Sequence, residues 1–523
     1  MKPTKVRIAI MLLVALCLCL GQSNRTQDCL LASARLSDAS VPEHTREQPF
    51  AALIHPLVGP GKSITRVQSK KISAAVSLAS DTEVREILAE RVKSIAAKEG
   101  GIGIVVGLIG PEGSRVISYG HSGRGVHRPL DGDTVFEIGS IGKVFTALIL
   151  ADLVRDGEVI LTDPVTKYLR NGVRIPDRNG RMITILDLAT HTSGLPFMPD
   201  EIPVFYEQGQ RYSDQKLYDF LARYRLTRDP GADWDYSNIG YWLLAQALSF
   251  RSGKNFDDLL RTRVIEPLKL KSTALAITPK LKRRLAVGHN AILEPAPSAA
   301  AVSIYNAMPA AGAGFVSTVN DLLTFLRYVM GYQDSMLATT MSDMLLTRRP
   351  ISRRSEQALG WVVRREGDNE LIMHDGGSWG YNSYLAWDPK RRIGVVVLSN
   401  QLSNIGDIGR HLLRPDEPLE QPVVMQHKMI TLKQTVLNKY AGRYESEDEG
   451  TFNVVKEGDF LTLGLPIGWG LPKFKLRAES STDFFVSELP IRVSFRLDKE
   501  GRVAGLLVHP PRGQGVVSAN RIE

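Results

Sequence analysis

Ser140 and Lys143 stand three residues apart in the run 136–156, FEIGSIGKVFTALILADLVRD. Positions i and i+3 of a helix share a face, so the hydroxyl and the amine can meet. A helix starting there offers free backbone N–H groups and the positive end of its dipole, which favour negative charge developing at Ser140. The apolar stretch after Lys143, VFTALIL, marks a buried helix. An apolar surround lowers a lysine pKa, so Lys143 can be neutral and act as base. That is the chemistry of an activated serine nucleophile. The spacing alone is common, and its bland reading is a helix N-cap followed by a surface lysine. A lysine inside an apolar helix, however, needs a reason to be there.

Two further segments supply partners. Residues 230–244 read PGADWDYSNIGYWLL, which places Tyr236-Ser237-Asn238 on a loop before a second apolar helix. A phenol near Ser140 can relay a proton, and the Asn238 amide can bond substrate and Lys143. His374-Asp375-Gly376-Gly377 follow the strand-like ELIM. A strand edge offers backbone groups to an extended substrate, and Gly377 allows close backbone approach. Read separately, His374 is a strand-end histidine bonded to its neighbours.

Together the three segments resemble the serine β-lactamase and penicillin-binding-protein superfamily, whose motifs run S-x-x-K, Y-x-N and [K/H]-[T/S]-G. Tyr236-Ser237-Asn238 looks like the class C β-lactamase, D-aminopeptidase and esterase branch. Three stretches extend the resemblance over residues 84–399: LDLATHTSGLP at 186–196, PGADWDYSNIGYWLL, and GAGFVSTVNDLLTFLRYV at 312–329. KYAGRYE at 439–445 resembles a β-barrel extension found on some of these hydrolases.

The resemblance implies Ser140 as the acylated nucleophile and Lys143 as its base. Tyr236 would carry the proton to the leaving group and later activate water. Asn238, His374, Asp375 and Gly376 would bind substrate, and the N–H groups of Ser140 and Gly377 would form the oxyanion hole, each donor being worth roughly 3–4 kcal/mol. His374 stands where β-lactamases carry lysine, and Asp375 where the family often has Thr or Ser. A neutral His374 holds a substrate carboxylate less well than lysine, so efficient β-lactam hydrolysis is not expected. Asp375 would favour a substrate amine instead.

The elements that must position these residues follow from periodicity. Val84, Ile87, Leu88, Val92, Ile95 and Ala96 fall at helical spacing within 81–100. Strand-like runs at 102–108 and 115–119 flank Gly110-Pro111-Glu112-Gly113, a hairpin signal. Helices are expected at 143–156, 213–224, 240–252 and 318–331, then strands at 360–365, 370–374, 381–387 and 393–399. This order reads as α+β: an antiparallel sheet flanked by helices, with an all-helical insert. The expected division is a signal peptide over 1–21, a leader over 22–80, a hydrolase domain over 81–413, a linker over 414–430 and a small all-β domain over 431–523, barrel or sandwich, with no helical period from Leu437 onward.

Other motifs are set aside. Gly376-Gly377-Ser378-Trp379-Gly380 matches G-x-S-x-G, but that nucleophile elbow needs a following helix and 381–387 reads as a strand. His191, in THTSGLP, is expected to order a loop beside the site rather than act as base. The glycines of 464–470 read as turns. The ten histidines show no H-E-x-x-H or paired-ligand spacing, so neither a metal nor a cofactor is expected.

The 523 residues are 43% hydrophobic and 23% charged, which excludes a wholly disordered, collagen-like or disulfide-stapled chain. Mean hydropathy is −0.09, and no apolar run reaches the ~18–20 residues of a polytopic span. Net charge is +9, with Lys2, Lys5 and Arg7 clustered at the N-terminus, and no nucleic-acid motif accompanies the short basic clusters. Those three precede the apolar run 8–20, IAIMLLVALCLCL, the pattern of an export signal with cleavage before Gln22. The alternative is an uncleaved membrane anchor. Cleavage would leave Cys29 as the one cysteine, so no internal disulfide is expected.

The sequence thus predicts an exported serine hydrolase acting on esters, D-amino-acid peptides or amides, or β-lactams, from a periplasmic or secreted location. The expected partner is a small-molecule or peptide substrate, with no nucleic acid and no membrane partner beyond the export signal; the oligomeric state is unreadable. The alternatives are a penicillin-binding or cell-wall-fragment sensor that acylates without turnover, and an inactive scaffold whose β-domain binds a partner.

Overall fold

The computed structural model describes residues 78–95, 101–123, 128–199, 212–275, 277–296, 314–421, 427–466, 473–487, 489, 491–509 and 515–522. The expected signal peptide, almost all of the leader and part of the linker lie outside these residues.

An eight-stranded antiparallel sheet organises the larger part. Its strands are β1 (Gly103–Gly110), β2 (Gly113–Gly120), β3 (Arg349–Ser352), β4 (Ser355–Gln357), β5 (Val362–Glu366), β6 (Asn369–Ser378), β7 (Tyr381–Asp388) and β8 (Ile393–Ser399). They run in the order β2-β1-β8-β7-β6-β5-β4-β3, so the first hairpin joins the closing strands along β1 and β8. Both faces are covered. Val105 and Ile109 of β1 join Val396 and Leu398 of β8 in one core. That core includes α2 (Gly142–Arg155), α3 (Asn238–Ser252) and α4 (Val319–Val329). Ile104, Val106 and Leu108, one residue out of step, join Val395 and Val397 in a second core. There they meet Val84 and Leu88 of α1 (Asp81–Ile95) and Ile408 and Leu412 of α5 (Gly406–Leu413). Strand side chains alternate between faces, so a strand covered on both sides reads as an unbroken apolar run.

Short helices Ile185–Ala189, Asp214–Arg223 and Phe256–Leu260 surround α3 and form the all-helical part. Two strands, β3 and β4, were not expected: RPIS and SEQ are four and three residues long, too short for their alternating burial to show as a period in the sequence.

The tail is a closed barrel of eight consecutive antiparallel strands, β9 (Gly442–Ser446) through β16 (Val517–Arg521), sealed by pairing of Tyr444 with Arg521. The expectation of an all-β tail from Leu437 needs one correction. A short helix, α6 (Gln434–Tyr440), opens it and buries Leu437 and Tyr440 in the barrel core. Its two core contacts, three residues apart, are too few for a helical period to show. Tyr440 stacks on Phe495 with ring centroids 4.4 Å apart. Trp379, in the turn between β6 and β7, packs against the same core.

Candidate active site

The segment carrying Ser140 is held at both edges before it becomes a helix. Phe136–Glu137 pairs with Val316–Ser317 as a two-residue ribbon, and the Ile138 N–H donates to Phe315 O at 2.9 Å. On the other side the Ser383 hydroxyl, on β7, donates to Ile138 O at 2.8 Å. The chain then turns at Gly139, whose φ is +49°. A Cβ there would lie 2.4 Å from Gly377 O, so only glycine fits both the conformation and the space. Ser140 sits on the single tight turn Gly139–Ile141, one turn ahead of α2, rather than in the α-helix itself.

Lys143 is fully buried in the first turn of α2. Its Nζ lies 3.1 Å from Ser140 Oγ and donates to Asn238 Oδ1 at 2.7 Å. The Tyr236 hydroxyl lies 2.8 Å from Ser140 Oγ, and Lys143 Nζ is 4.8 Å from the centroid of the Tyr236 ring. Four of the residues singled out in the sequence therefore converge on one hydroxyl and one amine.

Local capping explains why Tyr-Ser-Asn stands there. Ser237 is the N-cap of α3: its Oγ accepts from Gly240 N at 3.0 Å and donates to Pro196 O at 2.7 Å. Asn238 N donates to Phe197 O at 3.1 Å. With Ser237 fixed, its neighbours Tyr236 and Asn238 are aimed at Ser140 and Lys143. His191 braces the loop from behind. Its Nδ1 accepts from Ser237 N at 3.1 Å, and its ring stacks on Tyr236 with centroids 4.3 Å apart. Burial first, then neighbouring Lys143 and His374, hold its pKa well below the usual range, so it is neutral at physiological pH. The expected loop-ordering position of His191 thus has a geometric basis.

His374, Asp375, Gly376 and Gly377 lie inside β6, which runs four residues past the expected end at His374 and stops at Ser378. Two glycines mask that extension in the sequence. Pairing with β7 runs from Ile372–Trp387 to Ser378–Tyr381. The turn to β7 therefore excludes a nucleophile elbow at Ser378. His374 is buried, with Nδ1 2.6 Å from Asp375 O. Burial, followed by the charge of Lys143, pulls its pKa down to about 3. Gly376 presses on the nucleophile segment: a Cβ there would lie 2.1 Å from Ile138 O and 2.9 Å from Ser140 N. A Cβ on Gly139 would lie 2.5 Å from Gly377 N. The backbones of Ser140 and Gly377 are thus neighbours. Asp375 is half-buried and opposite Tyr384 of β7.

The arrangement can activate a hydroxyl, pass its proton among an amine and a phenol, and present two adjacent backbone segments to developing charge. One residue of the assembly escaped the sequence reading. Glu137 is buried and accepts from Ser378 Oγ at 2.5 Å. The available signal was a lone charge in the run VFEIGSIG. Among the described residues no group of three His, Cys, Asp or Glu side chains is placed to hold a metal ion. Substrate preference is expected to rest on the loop around Asp200 to Tyr212, of which only Tyr212 lies among the described residues.

Known proteins are similar to both parts of the chain. A family model described as Beta-lactamase matches residues 85–414, and a domain of unknown function, DUF3471, matches residues 426–516. The D-alanyl-D-alanine-carboxypeptidase/endopeptidase AmpH of Escherichia coli (strain K12) is 31% identical over 300 residues, covering 54% of this chain and 74% of that protein. A beta-lactamase of the same organism is 25% identical over 367 residues, covering 63% of this chain and 92% of its own. Among solved structures, a beta-lactamase/D-alanine carboxypeptidase from Yersinia pestis complexed with citrate superposes with a TM-score of 0.51 at 28% identity, covering 62% of this chain and 94% of that one. An octameric penicillin-binding protein homologue from Pyrococcus abyssi has the same fold over 84% of this chain and 99% of its own, with a TM-score of 0.55 at 20% identity.

Proposed function

The chain belongs to the beta-lactamase family of serine hydrolases, and we propose that it hydrolyses D-amino-acid peptides and esters through an acyl-enzyme on Ser140. The observation that carries this reading is the convergence of Lys143 Nζ at 3.1 Å and the Tyr236 hydroxyl at 2.8 Å on Ser140 Oγ. In the proposed reaction Lys143 takes the Ser140 proton as the oxygen attacks the substrate carbonyl. The backbone N–H groups of Ser140 and Gly377 receive the oxyanion, and Tyr236 delivers the proton to the leaving group. Water then enters along the same path, the acyl–oxygen bond breaks, and Ser140 recovers its proton. Asn238 holds Lys143 through its Oδ1, and its amide nitrogen, which donates to Met198 Sδ at 3.8 Å, keeps a second N–H for the substrate.

Two considerations bear on the substrate class. The relative AmpH is named for D-alanyl-D-alanine cleavage. A buried neutral His374 is a poor holder of a substrate carboxylate, that of a β-lactam and that of a D-alanine terminus alike, which favours esters and amides without one. Export through residues 1–21 is part of the proposal, supported by Lys2, Lys5 and Arg7 ahead of the apolar run 8–20.

Intact-mass spectrometry of the chain lacking residues 1–21 tests the reading, with Ser140→Ala as control. The probes are a fluorophosphonate, a penicillin, a nitrophenyl ester and an N-acyl D-Ala-D-Ala peptide. The expected result is Ser140-dependent label with continuous release of nitrophenol and of D-alanine. A stable penicilloyl adduct with no turnover of any substrate would instead make the protein a sensor. No Ser140-dependent label would overturn the acyl-enzyme.

A further inference from the structure

Glu137 has no part in the proton path just described, yet it is 1% exposed and three residues ahead of Ser140. A buried carboxylate is costly to keep unless hydrogen bonds answer it. One bond that does so is informative. Glu137 Oε2 accepts from Ser378 Oγ at 2.5 Å, and Ser378 is the residue directly after Gly377. Glu137 sits on the nucleophile segment and Ser378 ends β6, so this one bond ties together the two segments whose N–H groups would share an oxyanion. A second tie, Ser383 Oγ to Ile138 O at 2.8 Å, fixes the same segment to β7. Between the two ties Gly139 and Gly377 touch backbone to backbone, with no side chain to set their spacing. The spacing must come from the flanking bonds.

We propose that Glu137 is a positioning residue: through Ser378 it fixes the Gly377 N–H relative to the Ser140 N–H, and so sets the geometry of the oxyanion hole. The proposal rests on the acyl-enzyme reading above. It predicts a defect in the chemical step rather than in substrate affinity, because the oxyanion forms after binding. Displacing one donor by a fraction of an ångström to an ångström lowers a rate by about 10–100-fold.

The test uses the full chain without residues 1–21 and four variants: Ser378→Ala, Glu137→Ala, Glu137→Gln and the Glu137→Ala/Ser378→Ala double. Pre-steady-state acylation by a nitrophenyl ester gives rate and affinity separately, and thermal unfolding is followed alongside. Ser378→Ala and Glu137→Ala should each slow acylation about 10–100-fold with KM within about 3-fold of the parent. The double variant should be no slower than the slower single, since both remove one interaction. Glu137→Gln keeps a carbonyl to accept from Ser378 and should recover most of the loss. Should Glu137→Ala fail to fold, Ser378→Ala and Glu137→Gln still decide. Multiplicative losses in the double, unchanged acylation in Ser378→Ala, or a Glu137→Gln as slow as the alanine variant would each overturn the proposal. A parent chain that acquires no label on Ser140 would overturn the acyl-enzyme reading and this proposal with it. A labelled parent matched by all variants removes the role of Glu137 alone.

Discussion

Asn238 Oδ1 lies 2.7 Å from Lys143 Nζ, a bond between the first turns of α3 and α2 across 95 residues of sequence. It gives a fully buried amine a fixed acceptor beside Ser140 Oγ and the rings of Tyr236 and Tyr241. Asn238→Ala removes that acceptor without touching Ser140. Acylation of Ser140 should then slow about 100-fold, the scale of a displaced general base. The buried amine, short of one partner, should cost about 1–3 kcal/mol of stability. Single-turnover ester kinetics and urea unfolding check the two effects separately. A variant that loses stability and keeps its acylation rate would limit Asn238 to a structural tie.

Gly376 is the tightest point of the site, because Ile138 O would lie 2.1 Å from a Cβ placed there. That oxygen is backbone held by Ser383 and cannot rotate away. Gly376→Ala must therefore move β6 off the nucleophile segment. Overpacking of this kind costs about 1–3 kcal/mol. Hydrolysis should fall at least about 100-fold, since the Ser140 and Gly377 backbones separate together. Ester turnover against the thermal midpoint tests this, and near-parental turnover would show that the two segments need not touch.

His374 makes stability depend on pH with a definite sign. Its pKa is about 3 in the folded chain, against the ordinary 6.5. Above pH 6.5 the imidazole is neutral in both states and contributes no slope. Between 6.5 and about 3 the unfolded chain takes up a proton that the folded chain refuses, so stability falls as pH falls, by about 1.4 kcal/mol per unit. Neutral, buried His191 adds to the same trend. Urea midpoints from pH 7.5 to 4.5 should decline less steeply in His374→Asn by roughly one proton's worth. Parallel slopes in parent and variant would assign the decline to other groups.

What could be read in the sequence was what sits within a few residues of its own cause. The convergence of Ser140, Lys143, Tyr236 and Asn238 was legible because each lies in the first turn of an apolar helix or just before it. The strands Tyr381–Asp388 and Ile393–Ser399 were legible because both faces of the sheet are covered and every position is apolar or buried. Three features were harder. β6 continues through Asp375, Gly376 and Gly377, residues that normally end strands, because β7 pairs with it to Ser378. The helix Gln434–Tyr440 is stabilised by Leu437 and Tyr440 entering a barrel built from chain that comes later. Ser378, which donates to Glu137, is 241 residues away, beyond the reach of any spacing argument.

Asp375 can act on substrate charge only from behind its own strand. It is the residue of β6 next to His374, and neighbours on a strand point to opposite faces. Met373, two residues earlier and therefore on the Asp375 face, packs with Tyr384 in the core that α1 and α5 cover. Asp375 stands opposite that tyrosine and helps raise the pKa of its phenol, after the larger effect of burial. From that face, behind its own strand, the carboxylate reaches a substrate charge only at a distance, repelling a carboxylate and attracting an amine by no more than about 3-fold. Asp375→Thr should shift the ratio of kcat/KM for a D-alanyl anilide with a free amine to that for N-acyl D-Ala-D-Ala toward the latter by that factor. Raising salt should narrow the same ratio in the parent and leave it unchanged in the variant, because a partly exposed charge is screened. A ratio that neither substitution nor salt moves would remove Asp375 from substrate selection and leave the choice to the loops that line the cleft.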